Sequence, residues 1–563
     1  MKKFNKFGFA SAIVLAGAMG FAACSSDDEE FVELNPTFDG NSVKTQFAIS
    51  LTQKANKGGR MTANQAQEDN QFGGMKNLVL YPAATVAGGA FVATHAINYA
   101  PIKLADIATA DLKANTNSTV YENVAFALGT NHFLFYAESK GSTEGALSAS
   151  HFDGSGNLKT LTNYNNITFD LVSVYTANTE KEKAVLDAIN AVDTALTSAG
   201  NLGDAEANND DDTYKALRST LRSGGAVIPG SSNSVKAFIE DVYVAVKAYD
   251  PNSSVLSTIE RIFTVSSDKL TWMTDPAYPF VAGLPDGAVG IKFDNTQAKF
   301  IAATPSVDGM SVAAPANYVK PAALYYRASS AAGVKDAPYL KNATDATWAE
   351  LKGKYTQGAV QANTQSVILM DQVQYAVADL VTTVMLSDAT LKDSKGNNVT
   401  ASGFPVSAIL VGGQGQVGWN FEPTGDKTKT IYDAVYGRTL STRASEAVHT
   451  LVLETNETNV RFALELTNNG NDFYGANGCV VPTGSKFYLV GEIDVTKATS
   501  SGSTAATKVF QQDYQTLVGV QISTLAKAYN VIPDLKAPEM EFGLSVDLSW
   551  KTGLEFNVDI TNP

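Results

Sequence analysis

The sequence predicts an all-β fold with helical insertions, and two observations carry this prediction. Short segments rich in aromatic and β-branched residues recur along most of the 563-residue chain, and clusters of Gly, Pro and Asn separate them. Helical periodicity interrupts these strands between residues 178 and 248. Many short strands divided by turns are typical of β-sandwiches. We therefore expect two sandwiches in series, with a boundary near residue 265.

The strand candidates alternate or cluster apolar residues and are bounded by turn residues. They are residues 72–81 (stopped by Pro82), 133–137, 167–175, 367–370, 375–380, 405–411, 451–453, 460–464 and 487–490. Apolar residues three and four apart predict helices over residues 178–199, 213–222 and 233–248. The acidic stretch 204–212 lacks the mid-loop Gly and closing Glu of an EF-hand, so we interpret it as a solvated connector that caps the second helix.

Two segments near the ends of the chain share a period-two pattern. Large apolar residues occupy alternate positions of residues 542–560, namely Phe542, Leu544, Val546, Leu548, Trp550, Leu554, Phe556, Val558 and Ile560. The same alternation places Val43, Thr45, Phe47, Ile49 and Leu51 on one side of residues 43–51. This period predicts strands with one dry and one wet face. Because both segments suit the same kind of slot in a sheet, one of them is expected to replace the other.

The N-terminus predicts export. Lys2, Lys3 and Lys6 precede an apolar stretch over residues 7–23, which is too short for a stable membrane span. The sequence FAAC ending at Cys24 is similar to a lipobox, which predicts lipidation of Cys24, for example with palmitate. An ordinary signal peptide with an incidental cysteine is the alternative. The acidic run 25–30 resembles the surface-export signal of bacterial lipoproteins, and a plain solvated tether is the alternative.

The segment 57–64 (KGGRMTAN) directly follows the first strand and is polar and glycine-rich. Such a loop suits a protease cleft because its backbone can be drawn out without unfolding a core. A trypsin-like enzyme would cut between Arg60 and Met61; an ordinary connector is the alternative. With Cys24 lipidated, Cys479 has no partner for an intrachain disulfide, so stability must come from core burial.

Composition and motifs exclude several function classes. A net charge of −15 argues against a nucleic-acid partner. The four His show no metal-ligand spacing, so we expect no metal site and no cofactor. Gly413, Gly415 and Gly418 match G-x-G-x-x-G, but residues 419–423 (WNFEP) do not start the required helix, so a hairpin loop is expected. No nucleophile elbow or P-loop occurs, and the Trp residues are expected in the core.

The C-terminal third carries a family resemblance. The segments that carry it are residues 411–421 (VGGQGQVGWNF), 465–475 (ELTNNGNDFYG), 487–490 (FYLV), 528–535 (AYNVIPDL) and 544–550 (LSVDLSW). Together with the lipobox and the Arg60 loop, they resemble the fimbrillins of Bacteroidales, the FimA/Mfa-like pilus subunits. The resemblance implies two tandem transthyretin-like β-sandwich domains. It also implies lipoprotein export to the outer membrane, cleavage at an Arg and incorporation into a cell-surface fimbrium.

The resemblance also implies a division of the chain. Residues 1–24 are the signal peptide, 25–60 a propeptide with plug strand 43–51, 61–265 an N-terminal domain, and 266–563 a C-terminal domain ending in donor strand 542–560. The donor strand of one copy would fill the groove that the plug strand leaves in the next copy. Partners are then further copies or related subunits, a trypsin-like Arg-specific protease, and a host or bacterial adhesion partner.

Three alternatives to a polymerising, non-enzymatic stalk subunit stay open at this point. The first is a tip or accessory adhesin, which the helical insertion would suit. The second is a surface glycan-binding lipoprotein, which would keep its lipid and remain monomeric. A glycoside hydrolase is more distant. For residues 542–560 themselves, the alternative to strand donation is a strand that completes its own domain.

Overall fold

The computed structural model shows a mostly β protein with a few helices, as the sequence predicts. The structure describes residues 42–51, 73–84, 101–108, 111–113, 116–140, 145–159, 166–174, 179–203, 211–222, 228–229, 232–274, 290–303, 306–307, 310–311, 315–497, 507–532, 535, 546–548 and 557–560.

The strands divide into groups before, within and after the helical region. The first group is β1 (Ser42–Ser50), β2 (Met75–Ala83), β3 (Ile102–Lys103), β4 (Ser118–Ala127), β5 (His132–Ser139), β6 (Leu147–Ala149) and β7 (Thr168–Leu171). The helical region contains α1 (Thr179–Ala199), α2 (Asp212–Arg222), β8 (Ile228–Pro229), α3 (Ser232–Tyr249), α4 (Ser254–Ile259), β9 (Phe263–Ser266), β10 (Lys269–Trp272), β11 (Gly290–Asp294), β12 (Lys299–Ala303), β13 (Ser306–Val307) and β14 (Met310–Ser311).

The last group begins after a 3₁₀ turn at Pro315–Asn317. Its first half is β15 (Tyr318–Val319), β16 (Tyr325–Lys335), α5 (Trp348–Lys352), β17 (Thr356–Gln357), β18 (Ser366–Leu369), β19 (Gln374–Tyr375), β20 (Ala378–Leu386), β21 (Thr390–Lys392), β22 (Asn398–Thr400), β23 (Val406–Gln414) and β24 (Val417–Gly418). Its second half is β25 (Lys429–Ala434), β26 (Val448–Val452), β27 (Asn459–Thr467), β28 (Phe473–Tyr474), β29 (Val480–Val481), β30 (Lys486–Asp494), β31 (Gln515–Ile522), β32 (Val546–Leu548) and β33 (Asn557–Ile560).

The first sheet combines strands that are far apart in sequence. Its order is β3-β2-β5-β16-β18-β1-β4, and β16 runs antiparallel to both β5 and β18. Strand pairing therefore does not follow the predicted division at residue 265, because β16 and β18 come after it. Local periodicity could not reveal this, since it says nothing about which distant strand supplies a partner.

Two further sheets contain most of the later strands. The second has the order β15-β25-β23-β27-β30, and the third has the order β26-β20-β31 with β32 and β33 on the outer side of β31. Ile409 and Leu464 of the second sheet share one hydrophobic cluster with Leu380 and Val520 of the third and with Phe135 of the first. Residues from all three sheets thus form one core. The tandem transthyretin-like arrangement stays a prediction.

The helical region covers the other face of the second sheet. Val192 of α1 and Ile239 of α3 belong to the same cluster as Leu410 of β23 and Tyr488 of β30. Ile409 and Leu410 lie in different clusters because successive strand residues point to opposite faces. The second sheet is therefore buried on both sides.

The three predicted helices are confirmed to within a residue or two at each end. The predicted cap of the second helix is present, since Asp211 Oδ1 accepts hydrogen bonds from the backbone N–H groups of Thr213 at 2.8 Å and Tyr214 at 3.2 Å. Residues 204–210 of the acidic stretch lie outside the described residues, and Asp212 begins α2. The short helix α4, capped by Ser253, was not predicted.

Two local expectations have different outcomes. The expected strand end at Pro82 is wrong, because β2 continues through Pro82 to Ala83 and pairs with β5 there. Among the described residues β3 pairs with β2 only at Val79 and Leu80, so proline falls where β2 has one partner strand, a position that tolerates it. The glycine motif starts no helix, as expected: Gly413 lies at the end of β23, Gly415 follows it, and Val417 and Gly418 form β24, which pairs with β7 at Phe169 and Thr168.

Candidate functional site

The predicted plug strand is β1, and it lies inside the first sheet. It pairs in parallel with β18 from Gln46 to Ala48 and antiparallel with β4 from Ser42 to Ser50, with an irregularity between Thr45 and Phe47. Backbone hydrogen bonds join both sides, including Gln46 N–H to the Gln365 carbonyl at 2.9 Å. β1 therefore uses both of its edges, as a central strand does.

The apolar stripe of β1 is buried in the main core. Val43, Phe47, Ile49 and Leu51 are each at most 6% exposed and belong to the large cluster, and Thr45 is 3% exposed. The Phe47 ring contacts the ring of Phe126 edge-on, with centroids 5.4 Å apart. Removing β1 would open this core to solvent.

The opposite face of β1 departs from the predicted wet face. Lys44 is exposed, but Gln46, Ala48 and Ser50 are buried. At Gln46 and Ala48 the reason is the connection between β16 and β18, residues 336–365, which we call the cover segment. Ala48 lies in a separate small cluster with the cover-segment residues Leu340, Trp348, Leu351 and Tyr355 and with Ile368 of β18.

Polar contacts fix β1 against its surroundings. Gln46 Oε1 accepts a hydrogen bond from the Leu340 N–H at 3.0 Å, and Gln46 Nε2 donates to Glu122 Oε1 at 3.2 Å. Ser50 Oγ donates to the Thr116 carbonyl at 2.8 Å and accepts from Gln372 Nε2 at 3.1 Å. These bonds tie the strand to the cover segment, to β4 and to the residues after β18.

Loss of β1 would divide the sheet. Within the described residues, β4 is joined to the first sheet through β1 alone. Neighbouring strands lie about 4.8 Å apart, so the vacated slot between β18 and β4 would be roughly 10 Å wide. Unpaired backbone groups would line both sides of it. Such a slot has room for one strand.

The lipidation and cleavage residues lie outside the described part of the chain. Cys24, Arg60 and Met61 belong to residues 1–41 and 52–72. The backbone between β1 and β2 passes through Arg60 in sequence. Cleavage there would leave β1 held only by non-covalent contacts.

The predicted donor strand is described in two pieces, and both pair with β31 of the same chain. β32 runs antiparallel to β31 over Thr516–Val518, and β33 runs parallel to it over Gly519–Ile522. β20 occupies the full length of the other edge of β31. In the uncut chain the tail thus lies at a sheet edge, an arrangement that the alternative of a strand completing its own domain also predicts.

The side chains of Val546, Leu548, Val558 and Ile560 are outside the described set, and so are the whole residues Phe542, Leu544, Trp550, Leu554 and Phe556. What the structure does show is a contrast in backbone pairing. β1 is bounded on two edges, whereas the described pieces of the tail pair with β31 alone.

Sequence reasoning missed the cover segment. A usable signal was present, because Thr347 and Glu350 form a capping box at the start of α5 and Trp348 follows the cap directly. Trp348 and Leu351 of this helix are buried. A capped apolar turn between two strands predicts a helix on a sheet face, although it does not say which strand lies beneath it.

The described residues contain no group of three or more His, Cys, Asp or Glu side chains placed to hold a metal ion. Within the same residues, no helix has the length and apolar character needed to cross a bilayer. Cys479 is half-buried, forms no disulfide among the described residues, and donates its thiol hydrogen bond to the Ala528 carbonyl at 3.4 Å. The candidate site is therefore the slot of β1 with its two walls, the main core on one side and the cover segment on the other.

Neither a protein-family model nor a curated protein matches this chain. Among solved structures, it is similar to proposed cell adhesion proteins from Bacteroides eggerthii (9% identity, 92% of this chain and 98% of that chain covered, TM-score 0.32) and Parabacteroides distasonis (9%, 90% and 98%, TM-score 0.27). A third, from Bacteroides uniformis, is 12% identical over 48% of this chain and 86% of that one, with a TM-score of 0.19. At these TM-scores the likeness establishes neither a shared fold nor a shared function.

Proposed function

We propose that this chain is a structural subunit of a cell-surface fimbria that polymerises by strand exchange. An Arg-specific protease cuts after Arg60, β1 leaves, and the C-terminal segment of another copy enters the slot. The observation that carries the proposal is the position of β1. It is an internal strand with its apolar stripe buried in the main core, and no covalent bond would retain it after this cut.

The energetics favour refilling of the slot. Burying five large apolar side chains of an incoming strand contributes about 1.5–3 kcal/mol each, or roughly 8–15 kcal/mol gross. Ordering the tail and losing translational freedom offset several kcal/mol of this. Backbone groups on both edges of the slot also regain partners, the strand-addition mode of recognition.

The place of the tail in the uncut chain is compatible with release. The described pieces of the tail, β32 and β33, pair with one strand only, while an occupant of the slot pairs with β18 and β4. Transfer from its own β31 to the slot of another copy gains a second row of backbone hydrogen bonds. Because donor and acceptor surfaces differ, each subunit offers one free end of each kind, so growth does not close and gives a filament.

Other parts of the proposal rest on the sequence. The lipobox at Cys24 supports export as an outer-membrane lipoprotein before cleavage. The names of the solved structures, cell adhesion proteins, agree with a surface role but carry no part of the argument. A structural role needs no catalytic residue, and the adhesion partner at the surface is unspecified.

The test exposes the purified precursor to a low dose of an Arg-specific protease. We expect one early cut after Arg60, then a ladder of heat-labile multimers on gels and filaments by electron microscopy. Arg60→Ala is the matched control and should stay monomeric. Deleting residues 542–563 should abolish the ladder while the chain remains folded by circular dichroism. A precursor that is cut at Arg60, loses β1 and stays monomeric contradicts the proposal.

A further inference from the structure

We infer that the cover segment sets the register of the incoming strand, so that Ser545 takes the place of Ala48 and residues 540–548, not 554–560, fill the slot. This inference rests on the proposed function, since it names which part of the partner copy enters and how it is aligned. The observations behind the inference concern the cover segment, which forms the wall of the slot opposite the main core.

The cover segment leaves room for a small residue only. Ala48 is 0% exposed and lies in a cluster with Trp348, Leu351 and Tyr355 of the cover segment and with Ile368 of β18. A larger side chain at this position would have to displace well-packed groups. A charged or amide side chain would also lose its water, and the buried indole N–H of Trp348, which has no acceptor among the described residues, could return at most one hydrogen bond.

The neighbouring positions add a second restriction. Gln46 and Ser50 share this face with Ala48 and are also buried, whereas Lys44 is exposed. An incoming strand therefore needs small or uncharged residues at two successive alternate positions, those of Gln46 and Ala48. It can carry a charge at the position of Lys44.

One register of the tail meets these conditions. With Ser545 at Ala48, Gly543 falls at Gln46 and Glu541 at the exposed position of Lys44. The core-facing positions of Val43, Thr45, Phe47, Ile49 and Leu51 are then taken by Met540, Phe542, Leu544, Val546 and Leu548. All five are apolar. Asp547 falls at the buried position of Ser50, where it can accept the hydrogen bond of Gln372 Nε2, although the Thr116 carbonyl loses the donor that Ser50 Oγ supplies at 2.8 Å.

The other registers fail at the cover segment. Moving the tail by two residues in one direction places Asp547 at Ala48. Moving it by two more puts Ser549 there, but then the buried position of Ser50 receives Lys551 and the core position of Leu51 receives Thr552. Moving it by two residues in the other direction puts Gly543 at Ala48, but Glu541 then takes the buried position of Gln46, beside the Glu122 carboxylate that accepts the Gln46 hydrogen bond. If residues 554–560 entered with Phe556 at Phe47, Asn557 would lie against Trp348 and Glu555 at Gln46. Each alternative places a charged or amide side chain against the cover segment, at the position of Gln46 or Ala48, whereas the proposed register places Gly543 and Ser545 there.

The test uses two variants, one that can only donate a strand and one that can only accept it, so that association stops at a dimer. The donor is the Arg60→Ala chain, whose own β1 keeps its slot filled. The acceptor is cut at Arg60 and lacks residues 542–563, so it cannot donate. Mixed, they should form a heterodimer on gel filtration. Failure of this parental pair contradicts the proposed function itself rather than the register.

Two donor substitutions then test the register. Ser545→Leu should reduce the apparent association constant at least tenfold, while the matched change Asn557→Leu should leave it unchanged. Both donors should keep the melting temperature of the parent as monomers. Equal binding by the two variants, or a loss confined to Asn557→Leu, overturns the inference although the parental dimer forms.

A cross-link measures the same alignment directly. Gln46 is the strand partner of Ser366, so the register places Gly543 opposite Ser366. In a Cys479→Ser background without residues 1–24, a Gly543→Cys donor should form a disulfide with a Ser366→Cys acceptor. Glu555→Cys, which occupies this place in the competing register, should not. A cross-link through Glu555→Cys alone would also overturn the inference.

Discussion

At the scale of single residues, two histidines show opposite responses to their surroundings. His151 is fully buried between aromatic rings, stacked on Tyr136 with centroids 5.6 Å apart and beside Phe152 and Phe169. Burial, aided by the nearby charge of Lys159, lowers the pKa of His151 to about 3. His449 instead forms an ion pair with Asp379, and its Nδ1 lies 2.8 Å from Asp379 Oδ2.

His151 should make the protein sensitive to acid. Its folded pKa is depressed, so between about pH 6.5 and 3 the unfolded chain binds a proton that the native chain does not, and stability falls as the pH falls. We expect His151→Phe to remove this term, about 1 kcal/mol per pH unit below 6.5. Urea unfolding of both proteins at several pH values measures it. Parallel stability curves from pH 7 to pH 4 would contradict the expectation.

His449 should act in the other direction. The Asp379 carboxylate raises the pKa of His449, and burial only partly opposes it. Because the folded pKa is raised, the stabilisation is complete below the unfolded value near 6.5 and is lost as the pH rises through the folded pKa. His449→Gln should therefore destabilise the protein at pH 5.5 and have little effect at pH 9. A deficit that grows toward alkaline pH would rule out this ion pair as the cause.

At the scale of elements, β1 combines central position with burial on both faces. Alternation along residues 43–51 was visible in the sequence, and the core-facing side chains are where it placed them. The burial of Gln46 and Ala48 was not visible, because it comes from the cover segment, roughly 300 residues later in the chain. Ser50 is buried beside Thr116 and Gln372, which also lie too far away in the sequence to give a local signal. The sequence therefore predicted the strand itself, but not the cover segment that packs on its second face.

The two faces of β1 give a matched pair of substitutions. Phe47→Ala in the uncut chain should cost about 3–5 kcal/mol, since it opens a cavity among Tyr121, Phe126 and Phe133. Lys44→Ala, at the exposed position of the same strand, should change stability by less than about 0.5 kcal/mol. Chemical denaturation of the Arg60→Ala chain measures both without interference from cleavage. Similar losses from the two changes would show that β1 is not seated as described.

At the scale of the whole molecule, the first sheet meets the small sheet β24-β7-β6 and the loop that follows β24 at an aromatic junction. Phe421, in the glycine-containing loop after β23, is fully buried and stacks on Phe169 of β7 with centroids 4.1 Å apart. The Tyr136 hydroxyl donates a hydrogen bond to the Trp419 carbonyl at 2.5 Å. Phe421 holds a left-handed backbone with φ of 59°, which is rare for a bulky residue. The surrounding contacts must therefore offset this strain.

We expect this aromatic junction to make the sheets on its two sides unfold together. We expect Phe421→Ala to destabilise the protein by about 3–5 kcal/mol and to separate one calorimetric transition into two, because the stacking that links the sheets is lost. Tyr436→Ala is the control, since Tyr436 is 67% exposed. One sharp transition in Phe421→Ala would mean that the shared core, not this junction, maintains cooperativity.

Residue spacing alone predicted much of the secondary structure and the two period-two stripes, because it directly reflects the helical and strand repeats. The sequence located the three long helices, most of the core strands and the core-facing residues of β1. It also showed that the glycine motif at 413–418 does not begin a helix. These features depend on neighbours a few positions away.

Three features could be read only from the folded chain: which strands share a sheet, the use of strands from both sides of residue 265 in the first sheet, and the position of β1 between β18 and β4 beneath the cover segment. The tertiary structure also placed the described pieces of the tail against β31 of the same chain. Pairing between distant strands depends on register and on what covers each face, and local periodicity carries neither.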